Sequence, residues 1–298
     1  MKVVLFGCNG QLGQCLQNEL NRVSLSSIGF SHSDLDITNT TQVHEALKTS
    51  NPTVVINAAA YTKVDLAEDN EEQAFLVNAK GPEIIASSCK ALSIPLIHIS
   101  TDYVFDGKAS RAYQPEDKTN PQSVYGKSKL AGEHAIQSIS PHYMILRTSW
   151  VFSQYQENFV KTMIRLSASK SSLSVVSDQI GCPTNAESLS GAIVASLKRF
   201  IDPDFQSGIF HYASCDQCSW NIFAEAIFEI LFANGHISQP LKVIPIPTHE
   251  YFTAAIRPMN STLDSQKFLD YFVQEGCNWR DSLESTITAI IKKSSIQT

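Results

Sequence analysis

The sequence has no long hydrophobic run and no excess of basic residues, and each absence excludes a class of protein. No apolar run reaches the roughly 18 residues that a membrane-spanning helix needs, so we expect no membrane association. The 23 Lys and Arg against 29 Asp and Glu give a net charge of −6, which argues against nucleic acid as the main partner. A small phosphate-bearing ligand stays compatible with this charge, because helix N-termini can hold one.

Cysteine is sparse and unpatterned: the chain has seven, an odd number, scattered along its length. The apolar stretch after Lys2 is also too short for the core of a signal peptide. We therefore expect free thiols and a cytoplasmic protein. Cys215 and Cys218 form the one close pair, which without a second pair or a nearby histidine is a weak zinc signal. We expect two thiols in a loop before a helix, with Ser219 as its N-cap.

What the sequence does contain is an alternation of short apolar runs with helical periodicity over its first half. The predicted strands are Lys2–Phe6, Ser26–Phe30, Val54–Ala58, Leu96–Ser100, Met144–Thr148, Leu173–Val176 and Gly208–Ala213. The predicted helices are Gln11–Asn21, Thr41–Thr49, Glu71–Asn78, Pro82–Ala91, Val124–Ser138 and Ala186–Phe200. Unbroken apolar strands alternating with helices predict an α/β fold, a doubly wound parallel sheet of the Rossmann type.

After about residue 150 the alternation loosens, which predicts a second, smaller lobe for substrate binding, interleaved with the first. Its predicted helices are Asn158–Ser167, Trp220–Phe232 and Leu283–Lys292, with a proline-rich stretch over Pro240–Pro247. We assign residues 1–152 and about 173–214 to the Rossmann domain, and about 153–172 and 215–298 to the lobe.

A glycine-rich turn follows the first strand and opens the first helix. Gly7, Gly10 and Gly13 permit a tight turn, close approach of the backbone to a pyrophosphate and close packing of helix on sheet. The intervening Asn9, Gln11 and Leu12 complete the predicted dinucleotide-binding segment.

The end of the second strand bears on the choice of cofactor. An NAD site usually has Asp or Glu there, but the stretch reads Gly29-Phe30-Ser31-His32-Ser33, without a carboxylate. This favours NADPH, with His32 able to approach its phosphate, and leaves NADH open. Asp36 and Ile37 fit a contact at the adenine edge.

Tyr125 and Lys129 are four positions apart, so on a helix they share one face. A nearby ammonium would stabilise the Tyr125 phenolate and tune it for proton transfer. Thr101 ends a predicted strand at the carboxyl edge of the sheet, where its hydroxyl could bond a reacting carbonyl.

With these motifs together, the chain resembles the extended short-chain dehydrogenase/reductases, and within them the dTDP-4-dehydrorhamnose reductase family. The segments that carry the resemblance run nearly end to end: the glycine turn, 57–68, Asn78-Ala79, 100–105, 125–129, 147–151, 158–163, 178–184 and 257–261. The resemblance implies NADPH-dependent reduction of the C4 ketone of a dTDP-linked 4-keto-6-deoxy sugar to dTDP-L-rhamnose.

The same resemblance assigns roles to residues. Thr101 would orient the carbonyl, Tyr125 would give the proton, and Lys129 would tune Tyr125 and bind the ribose. Further contacts with the cofactor fall to Ala58, Ala59 and Ala60, and contacts with the substrate to Asp102, Tyr103, Val104, Trp150, Arg257 and Asn260.

Some members of the family hold Mg²⁺ between two subunits, but the corresponding position on the first helix is Cys15, with Glu19 the nearest acid. Glu187 alone matches a second ligand, so we expect no required metal. The sequence is compatible with a homodimer and does not decide the oligomeric state.

Three other functions use the same fold and similar motifs. A 4,6-dehydratase usually has Asp-Glu after the threonine, where this chain has Asp102-Tyr103. A reductase or epimerase of another nucleotide-linked 4-keto sugar would carry almost the same motifs. A non-catalytic NADP-binding subunit of methionine adenosyltransferase is the alternative from another class, which the intact Thr101, Tyr125 and Lys129 disfavour.

Overall fold

The computed structural model describes residues 1–296 and is built around a six-stranded parallel sheet. The strands of the chain are β1 (Lys2–Phe6), β2 (Ser26–Phe30), β3 (Val54–Asn57), β4 (Leu96–Thr101), β5 (Tyr143–Thr148), β6 (Val151–Phe152), β7 (Ser172–Val176), β8 (Ile180–Gly181), β9 (Thr184–Asn185), β10 (Gly208–His211), β11 (Cys218–Ser219) and β12 (Lys242–Ile246). The helices are α1 (Gln11–Arg22), α2 (Thr40–Ser50), α3 (Val64–Asp69), α4 (Glu71–Phe75), α5 (Gly81–Ala91), α6 (Val124–Ile139), α7 (Phe159–Ser167), α8 (Ala186–Phe200), α9 (Trp220–Ala233), α10 (Gln266–Phe272) and α11 (Trp279–Ile296).

The strand order of the sheet is β2-β1-β3-β4-β5-β10, and every neighbouring pair is parallel. One face packs on α1 and α8, the other on α2, α5 and α6. This confirms the predicted doubly wound fold. The order reverses between β1 and β3, and in such sheets a ligand binds in the crevice at the carboxyl ends of those strands.

A second apolar cluster joins α7, α9, α11 and β7 away from the central sheet. Here β7 pairs in parallel with β12, which lies in the proline-rich stretch and has Pro245 within it. A two-stranded edge tolerates this proline, because one side of the strand needs no partner.

Two placements differ from the predicted division of the chain. Strand β7 was assigned to the Rossmann domain but pairs with β12, and α10, in the part assigned to the lobe, packs Phe268 into the cluster of β1 and α1. Neither pairing could be read locally, since both partners are distant in sequence.

The predicted helices Glu71–Asn78 and Pro82–Ala91 are joined by a π-helical turn over Leu76–Lys80. Asn78 in this turn is buried and bonds both the amide and the carbonyl of Tyr61. Ser219 occupies the N-cap position of α9, but its hydroxyl donates to Asn221 Oδ1 instead of capping the helix.

Within residues 1–296, no helix has both the length and the apolar character that crossing a membrane demands.

Candidate active site

The glycine turn leaves no room for side chains at two of its positions. Gly7 has φ of +81°, and a Cβ on it would lie 2.6 Å from the Ala59 amide nitrogen. A Cβ on Gly13 would lie 2.1 Å from the Gly7 carbonyl oxygen. Gly10 is the N-cap residue of α1 without a capping side chain, so the first amides of the helix stay available to an anion. The turn therefore fits a pyrophosphate.

Just after β2, the Asp34 carboxylate bonds to the preceding residue Ser31. Asp34 accepts hydrogen bonds from the hydroxyl and the amide of Ser31, at 2.6 and 2.8 Å, and these bonds hold its pKa below the usual range. His32 is exposed beside it. This carboxylate directly follows Ser33 and was not predicted.

The two predicted adenine-edge residues are both anchored. Asp36 accepts bonds from the Thr38 amide and hydroxyl, which lower its pKa. Ile37 is 8% exposed, and its side chain packs where a Cβ on Gly81 would lie.

Ala58, Ala59 and Ala60 follow β3 and are half-buried next to the glycine turn. The Ala58 amide donates to the Phe6 carbonyl, and the Ala59 amide to Asn57 Oδ1. The structure thus brings the three alanines and the turn to one crevice.

Thr101 ends β4 beside Tyr125, and Tyr125 and Lys129 lie one turn apart at the start of α6. Ser123 caps α6 by accepting from the Gly126 amide, which fixes the first turn that carries Tyr125. Burial raises the pKa of Tyr125 above its usual range, while a hydrogen bond with Thr101 opposes this. Tyr125 is 9% exposed and Lys129 is 2% exposed, so both act out of bulk water.

Lys129 Nζ donates to the Ile99 carbonyl at 2.7 Å and lies 3.4 Å from His98 Nε2. Burial lowers the pKa of Lys129 to about 8, and the Glu133 carboxylate opposes the shift. A lysine in this state can change its charge near neutral pH.

Asp102 is a buried carboxyl group next to this site. Its Oδ1 accepts from Thr101 Oγ1 at 2.9 Å, while its Oδ2 has no partner meeting hydrogen-bond geometry among the described residues. Burial raises the pKa of Asp102 to about 7.

Tyr103 and Arg257 lie at the rim of the site. The Tyr103 ring packs edge-on against Tyr125, with centroids 5.4 Å apart. Burial raises the pKa of Tyr103 to about 12, and Arg257 beside it opposes this shift. Arg257 pairs with Asp65 at 2.7 Å, and its buried Nε has no partner among residues 1–296.

Trp150 sits in a left-handed backbone conformation, with φ of +46°. Its ring stacks on Trp220, centroid to centroid at 3.4 Å, and its Nε1 donates to Ser261 Oγ at 3.0 Å. The Ser261 hydroxyl in turn lowers the pKa of Asp102, which places Trp150 beside the site. The partner tryptophan was not predicted, because the two residues meet only in the fold.

Two predicted substrate residues have side chains that are engaged with the protein itself, one by burial and one by hydrogen bonds. Val104 is fully buried among the cluster of Phe105 and Tyr113, so its side chain offers no surface. Asn260 donates to the Ala109 and Arg111 carbonyls and accepts twice from Thr262, which leaves its amide nothing for a diphosphate.

Cys15 lies where some family members have a metal ligand on the first helix. It is buried, and burial together with the Glu187 carboxylate raises the pKa of its thiol to about 12. Residues 1–296 contain no group of three or more His, Cys, Asp or Glu arranged to hold a metal ion.

Sequence reasoning assigned no role to Asn57 or His98, which the fold buries completely between β3 and β4, behind Lys129. A signal was present: Asn57 directly follows an apolar run, and His98 interrupts one.

Known proteins resemble this chain over nearly its whole length. The family model of the RmlD substrate binding domain matches residues 1–291. A dTDP-4-dehydrorhamnose reductase of Sinorhizobium fredii is 38% identical over 98% of this chain and 98% of its own length.

Two solved structures also match. The dTDP-4-dehydrorhamnose reductase of Clostridium acetobutylicum has a TM-score of 0.89 at 35% identity over all of both chains. That of Bacillus anthracis, in complex with NADP, has a TM-score of 0.87 at 38% identity over 96% of this chain and 98% of that one. The chain belongs to the RmlD substrate-binding-domain family.

Proposed function

We propose that this protein reduces the C4 ketone of dTDP-4-dehydro-6-deoxy-L-mannose to give dTDP-L-rhamnose, with NADPH as the reductant. The observation that carries the proposal is a buried Tyr125 and Lys129, four positions apart on α6, with Thr101 beside Tyr125. Relatives named for this activity are 34–38% identical to the chain over 95–99% of its length.

The cofactor's pyrophosphate would rest on the turn from Gly7 to Gly13, where a side chain would collide with the backbone. Ala58–Ala60 would line the same crevice, Asp36 and Ile37 the adenine edge, and Lys129 the ribose. When bound, NADPH supplies the hydride for the C4 carbon of the ketone.

Tyr125 would donate its phenolic proton to the carbonyl oxygen as that oxygen becomes an alkoxide. Its raised pKa keeps the phenol protonated at neutral pH, which is the form a proton donor needs. Thr101 would orient the carbonyl, and Lys129 would return a proton to Tyr125 after the reaction.

For the sugar nucleotide, we assign Tyr103, Asp102 and Trp150 to the sugar and Arg257 to the diphosphate. Arg257 already lies near Tyr103 and keeps a buried Nε without a partner, so a phosphate oxygen could satisfy it. Val104 and Asn260 are left out of this set for the reasons given above.

We also infer a cytoplasmic location, supported by seven free thiols, and keep a homodimer as a prediction.

The test is an assay of NADPH oxidation with the keto sugar generated in place by a dehydratase and a 3,5-epimerase. Oxidation that needs both helper enzymes and yields dTDP-rhamnose supports the proposal. Oxidation without the epimerase would assign a different sugar, and cofactor binding without any oxidation would overturn the proposal in favour of a binding subunit.

A further inference from the structure

The segment that leads into α7 lies against the glycine turn and bonds to it at two points. Ser153 Oγ, at 3.0 Å, and Asn158 Nδ2, at 2.9 Å, both donate to Gln11 Oε1. Gln156 Nε2 donates to the Asn9 carbonyl at 2.6 Å. The two accepting residues belong to the predicted dinucleotide-binding segment, so this part of the chain is joined directly to the cofactor side of the molecule.

A backbone amide fixes which way round the Asn158 side chain lies. Asn158 is the N-cap of α7, and its Oδ1 accepts from the Lys161 amide at 3.2 Å. Its Nδ2 therefore points the other way, where it also donates to the carbonyls of Ser153 and Tyr155, at 2.8 and 3.3 Å. Because a carbonyl oxygen can only accept, these bonds agree that Nδ2 is the atom that faces Gln11.

The orientation of the Gln11 carboxamide follows from this bond. An amide nitrogen cannot accept, so the Gln11 atom that receives the Asn158 donor is Oε1. Its Nε2 then lies on the other side of the carboxamide and bonds no group within residues 1–296. Gln11 is the first residue of α1, and a pyrophosphate rests on this end of the helix in such folds. The helix end therefore carries a side-chain donor that the protein itself does not use.

We propose that Ser153 and Asn158 are positioning residues for the cofactor: by holding Gln11 Oε1, they turn its Nε2 toward the pyrophosphate. The proposal rests on the proposed use of NADPH and adds a side-chain donor to the backbone amides of the glycine turn. An unheld carboxamide can present either its nitrogen or its oxygen, and only the nitrogen attracts a phosphate. Donors on one side of Gln11 remove the unfavourable orientation.

The two positioning residues differ in how firmly they hold Gln11. Ser153 has a single hydroxyl proton, and besides Gln11 Oε1 at 3.0 Å the Tyr155 carbonyl lies within its reach at 3.2 Å. Asn158 has two N–H donors and is fixed by its role as a helix cap. We therefore expect the larger contribution from Asn158.

The test measures the Kd for NADPH by isothermal titration in variants of the whole protein. Gln11→Met keeps the length of the side chain without a donor, so we expect the Kd to rise by about 10- to 100-fold, as for a lost bond to a charged group. Asn158→Asp keeps the acceptor that caps α7 but loses the donor, so Gln11 turns its Nε2 to the new carboxylate and the Kd rises by a similar factor. Asn278→Asp, whose side chain accepts from the Arg280 amide at the start of α11, is the matched control and should leave the Kd unchanged.

Combining Gln11→Met with Asn158→Asp separates orientation from charge. If Asn158 acts through Gln11, the double variant binds NADPH about as weakly as Gln11→Met alone. Effects that multiply would show that the new carboxylate repels the cofactor by itself, and would overturn the proposal. Should Asn158→Asp not fold, Ser153→Ala gives the same test, with an expected rise of about 2- to 10-fold that disappears in Gln11→Met.

An unchanged Kd in Gln11→Met would overturn the proposal directly. Turnover at saturating NADPH should be retained in Gln11→Met, because the lost bond concerns binding alone. A protein that shows the expected affinities but reduces no keto sugar fails the proposed function and leaves this inference standing. Full turnover with unchanged affinities does the reverse.

Discussion

Two buried ionisable groups on α6, Lys129 and Glu133, lie one helical turn apart and differ in how completely they are partnered. Glu133 meets Arg147 through two bonds, at 2.7 and 2.9 Å, and also accepts from the Ser100 hydroxyl. Lys129 has one good acceptor, the Ile99 carbonyl, and a histidine that competes with its charge.

The comparison shows that one helix carries a residue with a structural role, Glu133, and a residue with a role in the reaction, Lys129. A buried charge with a full set of partners has one stable state and ties β4, β5 and α6 together. A buried group with incomplete partners keeps its charge adjustable, as Lys129 and the neighbouring Asp102 do. Burial alone does not distinguish the two, because both are at most 2% exposed.

The largest effect should be on turnover, from a change to the proton donor. Tyr125→Phe keeps the ring but removes the proton donor, so we expect turnover to fall by about 10²- to 10⁴-fold with cofactor affinity little changed. Steady-state kinetics and cofactor titration measure both. Tyr143→Phe, at the start of β5, is the matched control, and unaltered turnover in Tyr125→Phe would remove Tyr125 from the mechanism.

The next prediction concerns the buried ion pair: Glu133→Gln leaves Arg147 buried without its counter-charge. We expect the free energy of unfolding to fall by about 3–5 kcal/mol, measured by chemical denaturation. Glu157→Gln breaks an exposed pair with Arg165 and should cost no more than about 1 kcal/mol. Equal losses in the two variants would contradict the contrast drawn here.

Gly13→Ala should affect both the fold and the cofactor. Its Cβ collides with the Gly7 carbonyl, so we expect a loss of about 1–3 kcal/mol in unfolding free energy, together with weaker NADPH binding. Gly191→Ala in α8 meets no atom within 4 Å and should gain about 0.5–1 kcal/mol. Undiminished NADPH affinity in Gly13→Ala would argue against the glycine turn as the binding site of the pyrophosphate.

The last effect depends on pH. Because the folded pKa of Asp102 is raised to about 7 from 3.8, the folded state binds the extra proton between these values. The stability contributed by the neutral carboxyl is therefore lost as pH rises through this window, by about 1.4 kcal/mol per pH unit at most. Asp102→Asn should flatten this loss relative to the parent protein in denaturation measured from pH 4 to pH 8. Parallel curves would show that Asp102 has an ordinary pKa.

How far the sequence predicts the molecule depends on the range of the interactions. The strands of the central sheet and the start of α7, where Asn158 caps the helix, follow from local patterns and are confirmed. The glycine turn is local too, and the structure places it between β1 and α1, against Ala58 and Ala59.

The remainder depends on contacts between distant segments. The stack of Trp150 on Trp220, the pairing of β7 with β12 and the bonds of Asn260 each join residues far apart in sequence. His98 looks like a strand residue until β3 brings Asn57 to one side of it and α6 brings Lys129 to the other.

The most direct test of the proposed reaction follows the hydride itself. The protein is given NADPH carrying deuterium at the transferable position of the nicotinamide and the dTDP-linked 4-keto sugar, and the product is analysed by mass spectrometry and proton NMR. A reductase yields dTDP-rhamnose with one deuterium on C4 of the sugar and an equal amount of NADP⁺. A product without deuterium on C4, or a changed sugar with the cofactor left reduced, would contradict the account.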